Sequence, residues 1–116
     1  MISGAHVVIY SNDADADRAF FRDVLGYPHV TAGHGWLIFA LPPSEVAMHP
    51  TDGPGTHELY FMCDDVEATI AELGAKGVEF VGGITEERWG RVTRLRLPGG
   101  GEVGMYEPLH PRATDL

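Results

Sequence analysis

A chain of 116 residues with 44% hydrophobic and 22% charged residues has the size and composition of one folded domain, not of a disordered segment. Its net charge of −9 disfavours nucleic-acid binding, because such proteins concentrate Lys and Arg on one surface. No apolar run approaches the ~20 residues that span a bilayer, and no basic segment marks a signal peptide. We therefore expect no nucleic-acid and no membrane partner. The single cysteine, Cys63, excludes an intrachain disulfide and favours a cytoplasmic protein.

The first predicted elements are a strand over residues 5–11 and a helix that begins at Asp13. The strand is rich in β-branched and aromatic residues, and its alternation places His6, Val8 and Tyr10 on one face. Aspartates in the first helical turn can cap free N–H groups. The apolar positions that follow have helical spacing, and Gly26 is typical of a helix end: Ala16, Phe20, Phe21, Val24 and Leu25.

Three further strands are predicted after this helix, over residues 29–32, 35–41 and 44–49, with glycines and prolines between them. The segment from Pro50 to Gly55 contains two prolines and two glycines, which is typical of a linker. We place module one at about residues 1–50 and the linker at about 50–56.

The same pattern then repeats. A strand over residues 58–63 precedes a helix whose apolar residues are Val66, Ile70 and Leu73. Three more strands follow, over residues 78–81, 91–97 and 102–106, and the last two are joined by a Pro-Gly-Gly-Gly turn. Alignment of the two copies on Asp13 and Asp65 places His6 opposite Glu58. We predict a single α+β domain, 1–116, of two βαβββ modules. Module two covers about 57–108, and a tail, 109–116, is loose or a dimer arm.

The chain resembles the vicinal oxygen chelate superfamily, which includes glyoxalase I, bleomycin-resistance proteins and extradiol dioxygenases. The residues that carry the resemblance are His6, Asp13, Phe20, Phe21, Leu25 and Gly26, the Trp89-Gly90-Arg91 segment, and Tyr106-Glu107-Pro108. It implies a glyoxalase/bleomycin-resistance-like pair of half-barrels around a concave cleft, and a homodimer. In the enzymes of this family a divalent metal ion lies in the cleft, and two neighbouring oxygens of the substrate bind to it.

The resemblance implies four metal-ligand positions, of which only His6 and Glu58 carry donor atoms here. The other two are Ala47 and Gly104. Because a catalytic divalent ion takes three or four protein ligands, we expect no metal cofactor. The alternative is a single Zn, Ni, Mn or Fe ion. Glu102 or Glu45 would then complete its ligand shell, or a one-residue slip would exchange Glu58 for His57.

The small side chains at two inward positions predict a roomy cleft for a small molecule. We expect the following residues to line it: His6, Val8, Tyr10, Trp36, Ala47, His49, Glu58, Tyr60, Met62, Trp89, Gly104 and Tyr106. The first hypothesis is a protein that sequesters an aromatic natural product, as in antibiotic resistance. The second is a metal-dependent lyase, isomerase or dioxygenase, and the third is a metal-free acid/base enzyme. The candidate catalytic residues are Glu58, His6 and Glu102.

Overall fold

The computed structural model describes residues 6–115. The first helix, α1 (Ala14–Ala19), continues directly into a π-helical turn, Phe20–Val24. Asp13 caps it, since its Oδ1 accepts the N–H of Ala16 at 3.1 Å. Gly26 follows with φ +70°, a conformation that favours glycine. The predicted helix and both of its end signals are confirmed.

The four-stranded sheet consists of the predicted strands of module two. The elements of this module are β3 (Tyr60–Met62), α2 (Val66–Gly74), β4 (Glu79–Glu87), β5 (Gly90–Arg96) and β6 (Glu102–Pro108). The strands lie in the order β3-β6-β5-β4, with β3 parallel to β6 and the other pairs antiparallel. Asp65 caps α2, which follows β3.

The hydrophobic core lies between one face of this sheet and the first helix. It consists of Phe20, Phe21, Val78, Leu95, Leu97 and Val103. A buried polar contact joins the same two parts, because Asp17 Oδ1 accepts the N–H of Gly99 at 2.7 Å. The helix of module one is therefore packed on the sheet of module two.

Module one forms less sheet than its sequence predicts. Its strands β1 (His29–Thr31) and β2 (Leu37–Phe39) make an antiparallel pair. Within residues 6–115, the predicted strands at 5–11 and 44–49 are not formed, and Ala5 lies outside the described residues. A strand requires a partner for its backbone N–H and C=O groups, and neither segment pairs with another strand in the described part of the chain. The α+β class is confirmed, whereas the prediction of these two strands is wrong over the described residues.

The described part of the C-terminal segment contacts the rest of the domain. A 3-10 turn, Ala113–Asp115, lies near its end, and Arg112 Nη2 donates to Asp64 Oδ1 at 3.0 Å. No helix among residues 6–115 has the length and apolar character needed to cross a membrane.

Candidate functional site

Three aromatic rings meet on the sheet face that points away from α1 and α2. Tyr60 comes from β3, Tyr106 from β6, and Trp89 from the turn between β4 and β5. The ring centroids of Tyr60 and Tyr106 are 5.9 Å apart. The ring centroid of Trp89 lies 6.2 Å from that of Tyr60 and 5.2 Å from that of Tyr106. All three pairs are edge-to-face, the geometry that the ring quadrupoles favour. We call these three residues the aromatic cluster.

Two glycines allow the aromatic cluster to lie against the sheet. A Cβ at Gly104 would collide with the ring of Tyr60, and a Cβ at Gly90 would collide with the ring of Tyr106. From the sequence we expected the missing side chain at Gly104 to leave open space. The structure leaves none at this position. The ring of Tyr60 fills that position.

A cavity of about 310 Å³ borders the aromatic cluster on the side of β4. It exists because β4 bulges between Val81 and Thr85, where its register with β5 shifts. Gly82, at the bulge, has φ +72°. The lining residues are Tyr60, Val81, Gly82, Gly83, Thr85, Glu87, Trp89, Val92, Thr93 and Arg94. The β4 residues were not among those predicted to line the cleft, although a Gly-Gly pair inside a strand pattern is the signal of such a bulge.

Charged side chains lie beside the aromatic cluster. The guanidinium of Arg94 lies 5.9 Å from the centre of the Tyr60 ring, and its Nε is 3.2 Å from Glu102 Oε1. Burial, and next the neighbouring Glu58 carboxylate, raise the pKa of Tyr60. The phenol of Tyr60 is therefore a neutral hydrogen-bonding group at physiological pH.

The arginines of β5 are all engaged in ion pairs. Arg91 lies between Glu67 at 2.7 Å and Glu86 at 2.9 Å, and Arg96 lies 3.6 Å from Glu79. Glu102, a candidate catalytic residue, pairs with Arg94 and with Arg96. Within residues 6–115, no hydrogen bond or ion pair joins Glu102 directly to His6 or Glu58, although Arg94 neighbours both Glu102 and Glu58.

The polar end of the site is formed around the hydroxyl of Tyr106. This hydroxyl donates to Glu45 Oε1 at 3.4 Å and lies 3.0 Å from His110 Nε2. Burial, and next the charge of Glu45, raise the pKa of Tyr106. His110 was missed by the sequence analysis, because only the folded tail brings it to β6.

Of the sequence-predicted lining residues, the structure brings together those of module two except Met62. Tyr60, Trp89 and Tyr106 are in mutual contact, Gly104 lies under the ring of Tyr60, and Glu58 neighbours Tyr60. Met62 borders a second groove, of about 240 Å³, beside α2. Those of module one are exposed to solvent and form no part of the cavity wall: His6, Val8, Tyr10, Trp36, Ala47 and His49. Trp36 stacks instead against Arg18 at 5.3 Å.

The residues at the four expected metal positions do not fit a metal ion. His6 and Glu58 are exposed, Ala47 has no donor, and Gly104 is covered by the ring of Tyr60. Across residues 6–115, no three His, Cys, Asp or Glu side chains come together in a cluster that could hold an ion. A divalent ion held by these positions would therefore lack the three protein ligands that it requires.

Solved structures with this fold include proteins that bind or convert small molecules. TnmS3, an antibiotic binding protein from Streptomyces sp. CB03234, is 26% identical, with a TM-score of 0.61 over 93% of this chain and 99% of that chain. A glyoxalase/bleomycin resistance protein from the same organism is 27% identical, with a TM-score of 0.56 over 84% and 93%. Lactoylglutathione lyase from Agrobacterium tumefaciens, at 22% identity and a TM-score of 0.64 over 90% and 92%, shares the fold.

No curated protein matches the chain in sequence. A family match does exist, and it covers residues 4–103, from the N-terminal segment to the start of β6. The described family is the Glyoxalase/Bleomycin resistance protein/Dioxygenase superfamily. The chain therefore belongs to the glyoxalase/bleomycin resistance protein/dioxygenase superfamily.

Proposed function

We propose that this protein binds a flat, aromatic small molecule on the open face of the β3-β6-β5-β4 sheet and releases it unchanged. The observation that carries the proposal is the aromatic cluster beside a cavity of about 310 Å³. Aromatic rings provide apolar contact area and stacking, while Arg94, Glu58 and the Tyr60 hydroxyl supply the few polar groups that orient a ligand. The likeness to an antibiotic binding protein supports a natural-product ligand and a role in antibiotic resistance.

Two observations favour binding over catalysis. Glu102 is held in ion pairs with Arg94 and Arg96, and His6 is exposed, whereas an acid/base pair needs two free groups that reach one substrate together. In enzymes of this superfamily the position of Gly104 carries a metal ligand, but here the ring of Tyr60 packs on Gly104 and closes that position. We therefore propose that binding needs no metal at the His6 and Glu58 positions.

We further propose that the protein acts as a homodimer in which a second copy covers module one. Among residues 6–115, all strongly exposed large apolar side chains except Leu109 precede residue 49. Val8, Val46 and Met48 are exposed by 60%, 84% and 84%, and they lie in segments whose sequence predicts strands. A second copy would supply the backbone partners that these segments lack and would extend the wall of the cleft.

Fluorescence titration with a panel of planar aromatic compounds tests the ligand proposal. The chain has two tryptophans, so the variant Trp36→Phe leaves Trp89 as the only indole reporter. We expect at least one compound to quench Trp89 with a Kd below roughly 100 µM, which is about −5.5 kcal/mol. Mass spectrometry after incubation should recover that compound unchanged.

Matched variants locate the binding site. Tyr60→Ala should weaken binding by about 5- to 150-fold, because a ring that stacks on a ligand contributes about 1–3 kcal/mol. Lys76→Ala removes an exposed side chain just after α2, on the opposite side of the sheet, and should leave binding unchanged. No binding below 100 µM, equal effects of the two variants, or chemical conversion of the compound would each contradict the proposal.

A further inference from the structure

Arg94 is the basic residue in the wall of the cavity beside the aromatic cluster. It pairs across the sheet with Val81 of β4 on one side and with Gly104 of β6 on the other. Gly104 in turn pairs with Tyr60 of β3. Because Gly104 has no side chain, the guanidinium of Arg94 meets the ring of Tyr60 across it, 5.9 Å from the ring centre. This row of residues therefore holds a cation against an aromatic ring at the cavity wall.

Two contacts fix the guanidinium of Arg94. Its Nε donates to Glu102 Oε1 at 3.2 Å, and its carbon atom lies over the ring of Tyr60. A guanidinium carries five N–H hydrogens in a planar fork, and the bond to Glu102 uses one of them. The side chain is 40% exposed, so a solute can reach the terminal N–H groups. Arg94 is thus a positioned hydrogen-bond donor beside the cavity.

The carboxylates around Arg94 already balance its charge. Glu102 pairs with both Arg94 and Arg96. Glu58 neighbours Arg94, and Glu87 lies in the cavity wall. Since three carboxylates lie near two guanidinium groups, a further anion would meet more repulsion than attraction. A neutral acceptor gains a charge-assisted hydrogen bond without that repulsion.

The bulge of β4 leaves room for the edge of a ring beside Arg94. Between its paired residues Val81 and Thr85, β4 has three residues where β5 has one, so Gly82 and Gly83 have no partner residue on β5. Both glycines line the cavity. Gly83 does not have a positive φ, and a Cβ added to it would meet no described atom within 4 Å. The folded chain does not need glycine at this position, whereas a closely approaching ligand does.

We propose that Arg94 selects planar ligands that carry a neutral carbonyl group on their edge. The ring system packs against the aromatic cluster, with one edge over Gly83, and the carbonyl oxygen accepts a hydrogen bond from a terminal N–H of Arg94. This selection rests on the proposed function, whose ligand chemistry it specifies.

Equilibrium dialysis of the full-length protein with matched planar compounds tests the inference. Fluorenone and fluorene share a ring system and differ by one carbonyl group, and fluorene carboxylate carries a negative charge. Indanone and indane repeat the comparison with a smaller ring system. We expect each ketone to bind at least about tenfold more tightly than its hydrocarbon, the least that a hydrogen bond to a charged group contributes. Fluorene carboxylate should bind no more tightly than fluorenone.

Two arginines of one strand provide the matched variants. Arg94→Met should reduce the affinity for fluorenone to that for fluorene. Arg96→Met should keep the preference, because Arg96 is 38% exposed and pairs with the same Glu102 but does not line the cavity. Gly83→Ala should weaken the binding of both compounds to a similar extent without lowering thermal stability, because its methyl group takes the space of the ring edge.

The outcomes separate this inference from the proposed function. If planar compounds bind and Tyr60→Ala weakens them, but ketone and hydrocarbon bind equally, the inference is overturned and the proposed function stands. This comparison uses the wild type and does not depend on the folding of an Arg94 variant. The inference is also overturned if Arg94→Met keeps the preference, if Arg96→Met removes it as completely, or if the carboxylate binds most tightly. If no planar compound binds below roughly 100 µM, the proposed function itself fails.

Discussion

Module one and module two begin from the same sequence pattern and reach different structures. Each has an aspartate-capped helix, yet module two forms a four-stranded sheet while module one forms a two-stranded pair. The fully buried side chains Leu95, Leu97 and Met105 all belong to module two, and exposed apolar side chains are concentrated in module one. The comparison shows that a repeated local pattern produces a sheet only where backbone partners are present.

The largest expected difference between the modules is the cost of removing an apolar side chain. Leu95→Ala, at a site with 0% exposure, should reduce the free energy of unfolding by about 2–5 kcal/mol, since it leaves a cavity in the core. Val46→Ala, at 84% exposure, should change it by no more than about 0.5 kcal/mol in dilute solution. Urea unfolding measures both, and equal costs would contradict the comparison.

Urea unfolding of the same two variants at several protein concentrations tests whether a second copy covers module one. If a second copy covers module one, the cost of Val46→Ala should increase with concentration, because burial at the interface then contributes to stability. The cost of Leu95→Ala should stay high at every concentration.

The next largest effect concerns the glycine under the aromatic cluster. Gly104→Ala should lower the free energy of unfolding by about 1–3 kcal/mol, because its Cβ would displace the ring of Tyr60. Gly101→Ala is the control, since nothing lies within 4 Å of the Cβ that it would add. Thermal unfolding and near-ultraviolet circular dichroism report stability and ring packing. Identical spectra for the two variants would show that the cluster does not require Gly104.

The contact between the two modules should have a similar or smaller effect. Asp17→Ala removes the acceptor of the Gly99 N–H and leaves a partly buried donor unsatisfied, which should cost about 1–3 kcal/mol. Asp15→Ala removes a carboxylate whose side chain is 96% exposed and should cost less than about 0.5 kcal/mol. If both variants unfold at the same urea concentration, the contact does not join the modules energetically.

The smallest effect tests the feature that the modules share. Asp13 Oδ1 accepts the N–H of Ala16 at 3.1 Å, and Asp65 Oδ1 accepts the N–H of Ala68 at 3.0 Å. Asp13→Ala and Asp65→Ala should therefore each cost about 1 kcal/mol in urea unfolding. A large difference between them would show that the equivalence of the two caps is only apparent.

Sequence patterns predicted the local elements well and the site in part. Both helices, their caps and the strands of module two followed from periodicity and from Gly26 and the Pro98–Gly101 turn. Tyr60 and Tyr106 were assigned to one face of the sheet by strand alternation, and they are in contact there. The strands at 5–11 and 44–49 were predicted from the same kind of pattern, and the structure forms neither of them over the described residues 6–11 and 44–49, because a pattern does not specify a partner.

The sequence by itself determined the family, the order of helices and strands in module two, and the face on which each strand residue lies, since these depend on neighbouring residues. Only the tertiary structure decided that the helix of module one packs on the sheet of module two. It also decided that Tyr60 occupies the space beside Gly104 and that His110 returns to Tyr106 and Glu45. These contacts join residues far apart in the chain, and their free energy depends on burial and distance that no local pattern contains.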